Sequence, residues 1–275
     1  MPPIEDWSGV AYNPATASEN RIHADDVARR YGFRGGLVPG VGVYAYMVQP
    51  AVESWGIDWL TCGNARVVLQ TPLYDGGRFD VRLKDEAEDR FHAKLLDADG
   101  VCCADGEAGL TAPAGGAFES PALRGDPRVP AQEDRPAATR DALERLRETG
   151  LGAFHGQWAG DGPYGSYARD PTDMPEILQR EGGGFANPGF SLGLANTALA
   201  SNVTLGPWIH VQSDVSHFAP IPLGARLTVE ARIEDLFEKR GHEFVDLDVG
   251  VFLDPDQPAL RVRHRAIYVL REPAE

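Results

Sequence analysis

The sequence predicts an α+β protein built from two copies of one unit, each a buried helix followed by an antiparallel sheet that can wrap it. Three observations carry this. The spacing Val67, Pro72, Gly76, Arg78, Val81 returns as Val215, Pro220, Gly224, Arg226, Val229, a shift of 148 residues, and Pro39-Gly40 returns as Pro188-Gly189, a shift of 149. A period the size of a domain means a duplicated unit and not a solenoid. Each copy holds one segment with apolar residues at helical spacing around most of its circumference, as a helix buried on nearly all sides requires. Each copy also holds strictly alternating runs, the mark of strands with one face on a core and one in water. Such strands after a helix give an α+β layer arrangement, not a parallel βαβ sheet.

Element by element, the N-terminal MPPIEDW lacks a basic stretch followed by an apolar one, so no signal peptide is expected. Asp25 stands before Val27–Tyr31 as an expected helix N-cap. The first core helix is expected from Val41 to about Val52, with Val41, Tyr44, Ala45, Val48 and Val52 inward. Alternation predicts strands at Arg78–Lys84 and Phe91–Leu95, and turn signals stand at Asp75-Gly76-Gly77 and Asp97–Gly100. Cys102 and Cys103 fall in a further strand and should face opposite ways. Residues 113–136 are rich in Pro, Gly and charge, which is linker composition, and a short helix with Leu143 and Leu146 ends at Gly150. The second core helix is expected from Phe190 to about Val203, with strands at Arg226–Ile233, Val245–Val249 and around Arg261, Arg263 and Arg265. The expected division is therefore 1–112, a linker with a short helix over 113–150, and 151–275.

Among 275 residues the net charge is −15. That argues against nucleic acid as a partner, because binding there rests on neutralising phosphates with Lys and Arg. It also argues against an anionic membrane surface, but not against a phosphorylated small ligand held by a few local cations. No apolar run approaches membrane-spanning length. The three cysteines, Cys62, Cys102 and Cys103, are odd in number and lack zinc spacing, so they are read as reduced thiols of a cytoplasmic protein. No phosphate-cradling glycine loop or dinucleotide fingerprint is present, so no metal or cofactor is expected.

Residues 18–40 carry a motif. Ser18-Glu19-Asn20-Arg21-Ile22-His23, then Tyr31-Gly32-Phe33 and Gly35-Gly36-Leu37-Val38-Pro39-Gly40, resembles the MaoC-like (R)-specific enoyl-CoA hydratase/dehydratase family. The family pattern is Asp-x-Asn-Pro-Leu/Ile-His, a short helix ending in Gly-Phe, then a glycine-bearing loop at the start of the central helix. Pro72 and Asp75-Gly76 resemble the family's next turn. The resemblance implies a double hotdog, two sheets each curled around a long helix and packed as a pseudo-dimer. It also implies a lyase acting at C2–C3 of a thioester of CoA or acyl carrier protein. Asn20 and His23 fall on the family's Asn and His; the family's catalytic Asp falls on Ser18, and its Pro on Arg21. The second copy reads Asp170-Pro171-Thr172-Asp173 at the corresponding place, without a histidine. One site per chain is expected, in the first copy and lined partly by the second.

The chemistry fits these residues. Hydration of a 2-enoyl thioester needs a base for water, which His23 can be near neutral pH. It needs a proton for the α-carbon, for which Glu19 is the neighbouring carboxylate; Asn20 can orient His23 or the water. It needs donors for the thioester oxygen, expected from the backbone at Val38, Gly40 and Val41, where a helix start leaves N–H groups unpaired and Gly40 admits a close approach. Arg21, Arg34 and Arg66 are candidates for the CoA phosphates by position. Two other functions compete: a hotdog thioesterase using Glu19 or Asp25, and a non-catalytic acyl-thioester binder, for which Ser18 is the argument. The oligomeric state is open between a monomeric pseudo-dimer and a homodimer. An aromatic stretch, His155, Trp158, Tyr164 and Tyr167, can roof an acyl tunnel or pack on the sheet; His210 and His217 are read as structural or surface residues.

Overall fold

A computed structural model describes residues 4–111, 119–162 and 164–271. The expected boundary at Ala112, the linker residues 113–118 and the first three residues of the N-terminal reading lie outside them. The chain forms one ten-stranded antiparallel sheet. The first half contributes β1 (Trp7–Val10), β2 (Asn64–Leu69), β3 (Arg78–Ala87), β4 (Arg90–Asp97) and β5 (Cys102–Gly109). The second contributes β6 (Phe154–Gln157), β7 (Ile209–His217), β8 (Arg226–Lys239), β9 (His242–Leu253) and β10 (Gln257–Val269). Their order, β1-β3-β4-β5-β2-β7-β10-β9-β8-β6, is the same series read forward and then backward. β2 and β7 join the halves, with Asn64 opposite Ser216 and Val68 opposite Gln212. The repeat shift of 148 carries Asn64 to 212 and Val68 to 216, so these two pairs exchange: the duplication is a pseudo-twofold about this seam. This is the double hotdog arrangement. The short strands β1 and β6 precede the helices, a feature the helix-then-sheet expectation lacks; four residues are too few to show a period.

Helix α2 (Gly40–Cys62) runs ten residues past its expected end, with a kink at Gly56, where φ is 51°. Trp55, Trp59 and Leu60 continue its buried face, and Pro50 does not stop it. Pro50 has no N–H for the Tyr46 carbonyl, and the freed oxygen accepts the Trp7 indole N–H at 2.9 Å, which ties β1 to the helix. Helix α4 (Pro188–Ala200) is capped by Asn187, whose Oδ1 accepts from the Phe190 amide at 3.0 Å. The two helices meet at Gly189, where a Cβ would stand 3.4 Å from the Val41 carbonyl oxygen and 3.6 Å from the Ala45 methyl. The other two helices are short: α1 (Asp25–Arg30) precedes α2, and α3 (Arg140–Thr149) lies between α2 and α4. The core is continuous across both halves.

The alternating strands face as their sequences require, with one exception. Leu227, Val229, Ala231 and Ile233 are buried as expected, but Glu230 is 0 % exposed as well. The linker folds back over β8, and the amides of Arg124, Gly125 and Asp126 donate to the Glu230 carboxylate at 2.7–2.8 Å. A buried charge is tolerable only with such partners. Elsewhere the outer face carries ion pairs across β9 and β10, Arg261–Asp248 at 2.9 Å and Arg265–Asp246 at 2.6 Å. All three cysteines are free, and Cys103 is buried while Cys102 is half-buried. No described helix is long and apolar enough to cross a membrane.

Candidate active site

The motif loop is held by both halves. Asn20 caps a single 3-10 turn, Arg21–His23, through its Oδ1. The same side chain bonds the second half: its Nδ2 donates to the Trp208 carbonyl at 3.0 Å, and its Oδ1 accepts from the Trp208 amide at 3.3 Å. Ile22, Ala28 and Leu37 pack against Ile267 and Leu270 at the end of β10. The segment after α1 runs back along the turn: Leu37 N–H donates to the Ile22 carbonyl at 3.3 Å. A Cβ at Gly36 would collide with the His23 carbonyl, so glycine is required there. Asp25 is not the N-cap; Ala24 is, and the Asp25 carboxylate accepts from the Gly36 amide at 2.8 Å and pairs with Arg29.

These contacts fix the His23 ring. Its Nδ1 stands 2.7 Å from the Leu37 carbonyl oxygen, which can only accept, so the proton is on Nδ1 and Nε2 carries a lone pair. The Asn20 amide donates to that lone pair over a long 3.4 Å. Burial lowers the pKa of His23, with the Leu37 carbonyl opposing, so the ring is neutral near pH 7. Both ring nitrogens thus meet amide or carbonyl groups, and among the described residues no carboxylate is hydrogen-bonded to the ring.

Two cavities, of about 580 and 260 Å³, share Asn20, His23, Asn196 and Trp208 as common wall. The smaller is mostly apolar and reaches the start of α2, with Val38, Gly40, Leu69 and His210 in its lining. The larger is more polar and opens past Ser18, Glu19, Gln132 and Arg135. Of the expected oxyanion donors, the Val38 amide is already engaged with the Leu73 carbonyl at 2.9 Å, so Val38 contributes its side chain only. The amides of Gly40 and Val41 have no acceptor among the described residues, as the first turn of a helix leaves them. Gly40 must lack a side chain: a Cβ would collide with Leu69 and lie 2.7 Å from His210 Nδ1.

The remaining expected residues are dispersed. The Ser18 hydroxyl donates to the Asn20 carbonyl at 3.1 Å. Glu19 is exposed at the rim of the larger cavity, its carboxylate accepting from Gln132 at 3.3 Å. Arg21 is exposed and paired with Asp26 at 3.4 Å. Arg34 lies over the Tyr74 ring at 4.8 Å, on a separate depression that also touches His23. Arg66 pairs with Asp214 across the β2–β7 seam and lines neither cavity, which removes it as a phosphate contact. The cation at the larger cavity is instead Arg135, whose Nη1 donates to the Ala200 carbonyl at 3.2 Å. Of the aromatic stretch, Tyr164 lines the larger cavity, while Trp158 and Tyr167 are buried in the core. Asn196, Trp208 and His210 were not legible as site residues, because each comes from the second copy and meets His23 or Gly40 only through the fold. Among the described residues no cluster of three or more His, Cys, Asp or Glu is arranged to hold a metal ion.

No protein-family profile matches the sequence. No curated protein matches it either. Solved structures do. A double hotdog protein of Mycobacterium tuberculosis, described as conserved, hypothetical and essential for bacterial survival during infection, is 17 % identical. It matches over 97 % of this chain and 96 % of its own, with a TM-score of 0.59. A protein of Chloroflexus aurantiacus J-10-fl, provisionally named a MaoC domain protein dehydratase, is 10 % identical over 98 % and 96 %, at 0.57. The dehydratase domain of PpsC from Mycobacterium tuberculosis, solved in complex with C12:1-CoA, is 14 % identical over 96 % and 93 %, at 0.52. Structures provisionally named thioesterases also match. At these identities the likeness is one of fold: the chain is a double hotdog whose structural neighbours include MaoC-like dehydratases.

Proposed function

We propose that the chain binds an acyl thioester of CoA or acyl carrier protein across the two cavities and hydrates, or by reversal dehydrates, its C2–C3 bond. The observation that carries this reading is the His23 ring. Its tautomer is set by a backbone carbonyl so that a neutral Nε2 lone pair lies on the wall between an apolar chamber, lined by Gly40 at the start of α2, and a polar entrance. The acyl tail fits the smaller chamber, the carbonyl oxygen the Gly40 and Val41 amides, and the carrier arm the larger opening beside Arg135. His23 Nε2 takes a proton from water as the oxygen adds to C3, and the C2–C3 electrons move to the thioester oxygen. The imidazolium then returns that proton to C2, so one base serves both transfers and no carboxylate is needed. No cofactor enters this scheme.

A binding-only role is the second reading, supported by Ser18 in place of an acid and by the Asn20 amide on the His23 lone pair. Hydrolysis has less support, since Glu19 and Asp25 are both held away from the ring by other partners. The test is to incubate the protein with crotonyl-CoA and longer enoyl-CoA esters and follow enoyl absorbance and free thiol separately. Loss of absorbance without thiol is the expected result. Thiol release overturns it in favour of hydrolysis, and binding without either change leaves the second reading.

A further inference from the structure

The mechanism above leaves unused a buried polar cluster in the second half. His210, Ser213 and His264 are 5 %, 0 % and 2 % exposed. Ser213 Oγ lies 2.9 Å from His210 Nε2 and 2.8 Å from His264 Nδ1, and the two imidazole rings stack at 4.4 Å. His210 Nδ1 has no hydrogen-bond partner, although it is buried. An orphaned polar atom in an apolar interior is costly. His210 lines the smaller cavity, and this atom packs so closely on Gly40 that it accounts in part for the glycine.

We propose that His210 is a third donor to the substrate's carbonyl oxygen, its Nδ1–H completing the site begun by the unpaired amides at the start of α2. This rests on the acyl-thioester reading and adds a residue from the second half to it. Ser213 and His264 are positioning residues. When His264 Nδ1–H donates to Ser213 Oγ and the Ser213 hydroxyl donates to His210 Nε2, the His210 proton must lie on Nδ1, on the side packed against Gly40. Burial holds His210 down to about 4 and His264 well below its usual value, so both rings are neutral where the protein works. A neutral imidazole is a poor proton donor to carbon but a good hydrogen-bond donor to a developing oxyanion in a dry site.

The test compares a thioester with a ligand lacking the acceptor. Octanoyl-CoA and its S-octyl thioether differ in the carbonyl alone, and calorimetry gives the ratio of their affinities for wild type, His210→Phe and His210→Asn. Wild type is expected to prefer the thioester, His210→Phe to lose about tenfold of that preference, which is about 1.4 kcal/mol, and His210→Asn, whose amide can replace Nδ1–H, to regain most of it. A ratio unchanged in His210→Phe overturns the inference while leaving the thioester reading standing. Failure of wild type to bind either ligand overturns both. Should His210→Phe not fold, the ¹⁵N-histidine spectrum of the wild type decides. The octanoyl ester must move a protonated His210 Nδ1 resonance that the thioether leaves in place; equal shifts, or a bare Nδ1, overturn the assignment.

Discussion

The two halves share a plan and differ in chemistry, and the difference is concentrated in one turn. In the first half Asn20 caps a 3-10 turn that ends in His23; in the second Asp170 caps a 3-10 turn, Pro171–Asp173, with its carboxylate accepting from the Thr172 amide at 2.9 Å. The scaffold is the same, but the residue delivered at its end is a half-buried imidazole in one copy and an exposed carboxylate in the other. Duplication preserved the capping and changed the group on display. Equally, the second half supplies much of the wall that the first half's histidine faces: Trp208, Asn196 and His210. One copy carries the histidine, and the other copy shapes the space before it.

The sharpest way to break this comparison is to exchange the two turns' chemistry. His23→Ala is expected to lower enoyl-CoA turnover by about 10²–10⁴-fold with an unchanged melting temperature, whereas Asp173→Ala leaves turnover within twofold; equal losses in both variants would sink the one-site assignment. The next largest effect is on acid stability, which the second half should dominate. His210 and His217 are held neutral by burial, each at about 4, against about 6.5 in the unfolded chain. The unfolded state therefore binds more protons as the pH falls below 6.5, and stability declines from there to about pH 4, where the two states again take up protons together. Each ring contributes on the order of 3 kcal/mol across that window. Urea unfolding midpoints measured from pH 7.5 to 4.5 should fall, and by less in His217→Phe.

Glu230 and its first-half counterpart Arg82, 148 residues earlier, sharpen the contrast in stability. Glu230→Ala removes the shared acceptor of three linker amides and is expected to cost about 1–3 kcal/mol. Arg82→Ala, on an exposed pair with Asp6 and Asp80, is expected to stay within about 0.5 kcal/mol; denaturant melts of both decide it. The smallest difference lies at the helix starts. Gly40→Ala is expected to cost about 1–3 kcal/mol by overpacking and to weaken thioester binding, because its Cβ would enter His210 and Leu69. Gly189→Ala, whose nearest atom would be Asn187 Oδ1 at 3.1 Å, should cost less and leave thioester binding unaltered by calorimetry.

Much of the architecture was legible because it is written in period. Alternation in Arg78–Lys84 and Arg226–Ile233 marks strands, since successive side chains on a strand face opposite ways. The apolar runs after Pro39 and Pro188 mark the core helices, though the first extends beyond Val52 because its later turns bury one stripe only. Of the candidate site, the turn Asn20–His23 and the helix start at Gly40 were legible from the resemblance. Arg66 was misplaced because sequence position does not say which side of a sheet an arginine occupies relative to a cavity. Glu230 was misplaced because a strand's water face becomes buried when a linker crosses it.

The sequence by itself determined the duplicated plan and the two wrapped helices, both of which depend on local spacing and on groups a few residues apart. Only the tertiary structure decided that Trp208 secures Asn20, that His210 abuts Gly40, and that the Val38 amide is spent on Leu73. Those contacts join residues separated by up to 188 positions, and no local period encodes which distant atoms the pseudo-twofold seam brings to one cavity.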